Sequence, residues 1–144
     1  MIKFVKLLSA YILFINTSYA SVNIQIDNDK KIHDLMIGSW VTSPKDELYT
    51  KNYGSIATYK SDGTLNYKQF TDTTCTIHVS TLKARWSIND GKLVIVVSKE
   101  HQITYGLPPT IIDIVHEITN NNAILINTEG RFQHRVKSEK CISK

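Results

Sequence analysis

The sequence predicts an all-β domain, an eight-stranded antiparallel up-and-down barrel with a short N-terminal helical segment. Three observations carry this. Runs rich in Val, Ile, Thr and Tyr recur from residue 40 to residue 137. Three pairs of these runs flank an Asp-Gly or Glu-Gly step, which supplies the positive-φ position of a tight hairpin turn. No apolar-periodic helix of about 10–15 residues separates the runs, and this excludes a parallel α/β sheet.

Taken in order, residues 22–26 alternate weakly and read as an arm or a short edge strand. In residues 29–37, Ile32, Leu35 and Met36 recur at helical spacing, with Asp27 or Asp29 as N-cap and Gly38 as the stop. Residues 40–42 open the sheet, and Pro44 ends that strand. Hairpins follow at 55–60 with 64–70, 82–88 with 92–98, and 123–128 with 131–137. Residues 110–118 make one long strand, and 75–79 a further short one. Tyr105 to Pro109 is a loop, because tandem prolines supply no ladder donors. Sequential antiparallel strands leave two exposed edges, and closure removes both. A Greek-key sandwich needs longer returns, and residues 99–109 alone are long enough for one.

The first twenty residues carry the compartment. Lys3 and Lys6 precede an apolar run to Ile15, and Ser18 and Ala20 place a cleavage site after Ala20. Residues 1–20 therefore read as a signal peptide and 21–144 as one domain, periplasmic or secreted. Ser21 stands where lipid attachment would need cysteine, and no second apolar run is long enough to span a bilayer, so no stable membrane anchor is expected. Without Lys3 and Lys6 the basic count falls from 17 to about 15 against 13 acidic residues, leaving a net charge of about +2. Scattered lysines and few arginines give no nucleic-acid face. An even pair of cysteines in an oxidising compartment reads as a disulfide, Cys75 with Cys141. Closing that loop is worth roughly 4 kcal/mol of chain entropy. The alternative, a reactive or metal-binding thiol at Cys75, lacks a CxxC partner.

No catalytic constellation emerges. The five histidines form no HxH or HExxH pattern, no metal or cofactor is expected, and the glycines stand singly at turns rather than in a phosphate loop. Asp113 and Glu117 lie four apart on one strand, roughly 13 Å along it, on a face expected to meet solvent. The opposite face carries Ile112, Ile114, His116 and Ile118 and is expected inside, taking His116 with it. Tyr49, Tyr53, Tyr59, Tyr67 and Phe70 are the best lining for a pocket, since tyrosine joins flat apolar contact to one hydroxyl. Trp86 either fills the core or lines a cavity.

Gly38-Ser39-Trp40, placed after a short helix and opening a meander of hairpins, resembles the lipocalin-like superfamily of calycin barrels, especially its small bacterial members. The resemblance implies that Trp40 plugs one barrel end beneath a basic side chain of the last strand, Arg135 or Arg131, with Arg135 deeper in the strand. A bridge from a middle strand to the C-terminal tail, here Cys75–Cys141, also fits it. The implied activity is non-covalent binding of a small apolar or amphipathic ligand, with Tyr59, Tyr67, Trp86, His116 and Tyr105 as contacts and the loop from Tyr105 to Pro109 as rim. Streptavidin-like barrels share the Gly-x-Trp opening, but their biotin-contacting positions find no counterparts. The alternative is a secreted inhibitor or adaptor that meets a protein partner through its outer face or loops.

Overall fold

A computed structural model describes residues 27–43, 46 and 53–142. The expected signal peptide, the arm at 22–26, Pro44 and Tyr49 lie outside the described residues. Helix α1 covers residues 27–36. Eight strands follow: β1 Gly38–Thr42, β2 Gly54–Tyr59, β3 Thr64–Phe70, β4 His78–Asn89, β5 Lys92–Val97, β6 Thr110–Ile118, β7 Asn122–Ile126 and β8 Phe132–Lys137. Each pairs antiparallel with the next, and β8 returns to β1 through Trp40–Lys137, Val41–Val136 and Thr42–Arg135. The barrel is therefore closed, and closure satisfies edges that an open meander would expose. The expected strand at 75–79 is not separate: Cys75 turns the chain at φ 56°, and the run from His78 belongs to the long β4.

Two sequence features make the ends unlike. At the end where β1 begins, α1 lies across the barrel and two tryptophans plug it. Trp40 is 1% exposed and its indole N–H donates to the Met36 carbonyl at 2.7 Å. Trp86 donates to the Lys60 carbonyl at 3.0 Å, stacks on His33 with centroids 4.7 Å apart, and meets Tyr59 edge-on. Burial of such large rings with their N–H groups satisfied is what makes tryptophan suit a plug. Asp29, expected as a helix cap, instead accepts from the backbone N–H groups of Asp90 and Gly91 at 2.7 and 2.8 Å. It fastens α1 to the β4–β5 turn.

The cation over Trp40 is Lys137, not Arg135 or Arg131. Its Nζ lies 5.1 Å from the ring centroid and donates to the Leu35 carbonyl at 3.0 Å. Register explains the difference: Trp40 pairs with Lys137, whereas Arg135 pairs with Thr42, one inward position nearer the opposite end. Arg131 pairs with Glu129 at the surface. Gly38 is required here, since its φ is 124° and a Cβ would come within 2.7 Å of the Lys137 side chain.

At the opposite end the connections are longer. Residues 99–105, in the segment long enough for a Greek-key return, form helix α2, Lys99–Tyr105. Ser98 accepts from the His101 N–H, and Gly106 closes the helix in the left-handed conformation. The β3–β4 loop is organised by Asp72, whose carboxylate accepts from the backbone N–H groups of Thr76 and Ile77 and from the hydroxyls of Thr74 and Thr76. Those hydrogen bonds, the Thr74 hydroxyl foremost, hold its pKa well below the usual carboxylate range. Cys75 and Cys141 are bonded, with Cα atoms 5.7 Å apart. After β8 the tail leaves beside Ser39, where Ser138 N–H donates to the Ser39 carbonyl, and reaches Gly54 at the far end of β2. A Cβ at Gly54 would stand 2.6 Å from the Cys75 sulfur and 2.7 Å from the Asp72 carbonyl. Gly54→Ala is expected to destabilise the protein by about 1–3 kcal/mol, through displacement of the bridge, as a lower urea midpoint.

Candidate functional site

Strand alternation decides what faces inward. From the plugged end upward, the interior is filled by Met36, Trp40, Ala57, Leu65, Ala84, Trp86, Leu93 and Ala123, all buried. Above this layer the barrel is hollow. A cavity of about 780 Å³ opens toward α2 and the β7–β8 turn, within the range of small-molecule sites. Tyr59, Tyr67, Leu82, Ile95, Ile111 and Leu125 line its wall, and Tyr105, Leu107 and Pro108 its rim. Among the described residues, Asp113 and Arg135 are the charged side chains lining it.

Three of the five expected contacts therefore line the cavity. Tyr59 and Tyr67 lie on the cavity wall and Tyr105 on its rim. Trp86 does not line the cavity. It lies behind Tyr59 beneath α1, stacked on His33 near the β4–β5 turn at the plugged end. His116 is also outside. It is exposed, and its ring meets Phe132 edge-on at 5.7 Å. Phe70 is buried away from the cavity against His78, and Tyr53 is exposed.

The inversion of β6 is the main correction. Asp113, expected in solvent, is 7% exposed and faces the interior, directly opposite Leu93. Ile112 and Ile114 face outward. The cause is visible in the strand: Ile111, Asp113 and Val115 share the inner face with buried Leu93 and Ile95. A bulge at 115–117 then shifts the alternation, so Ile118 also packs on the core and His116 is left as the extra residue. Counting alternate residues through the bulge assigns Ile118 to the wrong set and tips the strand over.

Asp113 and Arg135 have unlike surroundings. The Arg135 guanidinium donates to Thr42 Oγ1 at 2.8 Å, Gln133 Oε1 at 2.9 Å and Ser55 Oγ at 3.4 Å. No hydrogen bond or ion pair reaches the Asp113 carboxylate among the described residues. Burial raises its pKa, and the more distant positive charge of Arg135 partly offsets that rise. Burial likewise pushes the Tyr59 hydroxyl up to about 12, so this group is neutral across the physiological range.

Two solved structures share this architecture. One is a lipocalin-like protein from Bacteroides uniformis, 14% identical, with a TM-score of 0.51, matched over 72% of this chain and 99% of its own. The other is an uncharacterized protein from Bacteroides eggerthii, 12% identical, with a TM-score of 0.50 and the same coverage. At such identities the likeness is one of fold: a closed eight-stranded barrel with distant lipocalin-like structural relatives. No protein-family model matches the chain, and no curated protein does. Among the described residues no three His, Cys, Asp or Glu side chains gather as a metal site would require.

An Asp whose folded pKa is raised favours folding at low pH, and that contribution is lost as pH rises through the folded value. Asp113→Asn is therefore expected to raise the melting temperature by a few degrees near pH 8. The gain should shrink as pH falls toward about 4, where the unfolded carboxyl is also protonated. Calorimetric scans of both proteins across that range check it.

Proposed function

We propose that this protein binds a small hydrophobic or amphipathic molecule inside its barrel, and that it works outside the cytoplasm. The cavity supports the first part: about 780 Å³, walled by aliphatic and tyrosine side chains, with Gln69, Asp113, Gln133 and Arg135 among its polar groups. A wall of that composition excludes water from an apolar ligand while the polar groups fix its orientation. The basic-apolar-small pattern of residues 1–20 and the Cys75–Cys141 bond support the second. The fold likeness to a lipocalin-like protein is in keeping with this reading.

Gln69 lies on the cavity wall and contributes no apolar core, so Gln69→Trp fills the space with little effect on folding. Native mass spectrometry of the protein from its own compartment is expected to show a small molecule on the wild type and none on this variant. Wild type that is clean, and that takes up no dodecanol at micromolar concentrations, would count against a binding role.

A second reading has one observation in its favour. Val96, Ile112 and Ile114 form an outward strip on β5 and β6, each between 41% and 50% exposed. An apolar sheet face of this kind suits an adaptor or inhibitor that docks on a protein. A photo-crosslinker at Ile114 would then give one discrete adduct in the native compartment, with none from Lys83 on the exposed face of β4.

A further inference from the structure

We propose that the cavity selects amphipathic molecules with a cationic amine head, which Asp113 holds while the apolar tail lies along Tyr59, Tyr67, Leu82 and Ile95. The inference rests on the reading of the barrel as a binding protein and adds the chemistry of the head group.

Of the two charged side chains that line the cavity, Asp113 is the one without a hydrogen bond among the described residues. Asp113 is more than nine-tenths buried, faces the cavity, and receives no hydrogen bond from any described residue. Its nearest neighbour across the ladder is Leu93, an apolar side chain that offers nothing. The Asp113 carboxylate oxygens keep an accessible edge on the cavity, so a ligand that takes the place of solvent there must itself supply the donors. Arg135 is in the opposite condition. Three of its five N–H groups are already engaged, by Thr42, Ser55 and Gln133, and the side chain is only partly buried. Those partners come from β1, β2 and β8, and no ion pair joins the guanidinium to Asp113.

A ligand therefore gains more by supplying donors to Asp113 than by supplying an acceptor to Arg135. An ammonium group does so with charge as well as hydrogen bonds, and its approach favours the ionised carboxylate. If the carboxyl is protonated when a neutral amine enters, its proton moves to the amine nitrogen and yields the same ion pair. A carboxylate head meets Asp113 as a like charge inside a low-dielectric wall and is disfavoured. The two charges of the empty cavity also cancel, so one added cation does not enter an already positive space. Tyrosine side chains near the head add aromatic faces that suit a cation.

Calorimetric titration with three probes of one tail length, dodecylammonium, dodecanol and dodecanoate, each below its micellar concentration, tests this on wild type, Asp113→Asn and Gln69→Trp. The expected result is that wild type binds the ammonium at least about tenfold more tightly than the alcohol. In Asp113→Asn the two affinities should converge to within about threefold, with the alcohol unchanged. Equal binding of ammonium and alcohol by wild type overturns the head-group assignment, as does a preference that survives Asp113→Asn or a tightest fit for dodecanoate. In each of those cases the alcohol still binds and Gln69→Trp removes it, so the cavity reading stands. If no probe binds wild type, the cavity reading fails and the head-group assignment falls with it.

Discussion

The interior of this barrel is positioned by the pairing of β1 with β8, which spans Trp40–Lys137, Val41–Val136 and Thr42–Arg135. Antiparallel pairs alternate faces, so this seam fixes two inward cations at once. Lys137 is carried over the Trp40 ring at the plugged end, and Arg135 is carried one step further, to the polar groups of Thr42 and Ser55. A slip of one residue would turn both outward and leave Trp40 without its cap. The same seam removes the two free edges that a linear meander would carry.

From that seam follows a division of labour along the barrel axis. The end under α1 is solid, with both indole N–H groups paired to carbonyls of neighbouring connections and Asp29 fastening the helix to the β4–β5 turn. The other end is hollow, and its rim is made by α2, the loop after it and the β7–β8 turn. The solid plug and the cavity thus occupy different ends of one sheet. Asp113 belongs to the hollow end, where burial disfavours its charged form.

The β3–β4 loop is stiffened rather than loose. Asp72 gathers the N–H groups and hydroxyls of its own loop, and the Cys75–Cys141 bond ties that loop to the chain end across Gly54. The tail runs from Ser39 to Gly54, so the bridge links the two ends of the barrel along the outside of β1 and β2. The unfolded chain loses freedom by this link, which stabilises the folded barrel.

Local chemistry made the architecture legible. Asp-Gly and Glu-Gly steps between β-branched runs mark hairpins because turn geometry is a property of two or three residues. Cys75 with Cys141, and Tyr59 and Tyr67 as pocket material, needed only residue type and placement in the chain, whereas Tyr105 came with the rim loop that the resemblance implied. Ser98 and Gly106 also bracket α2 as N-cap and C-terminal glycine, a local signal that the proline-rich loop beside it obscured. What only the tertiary structure decided was direction and register. Isoleucines occur on both sides of β6, so composition alone leaves its inner face undetermined, and the bulge at 115–117 breaks the alternation that would have resolved it. The pairing with Leu93 and Ile95 turned Asp113 inward and His116 outward, and the pairing with β1 gave Trp40 to Lys137 rather than Arg135. The sequence by itself determined a closed β-meander with a tryptophan plug and a disulfide. Which charges face its cavity was set by contacts between strands distant in the chain, where a shift of one residue reverses every side chain.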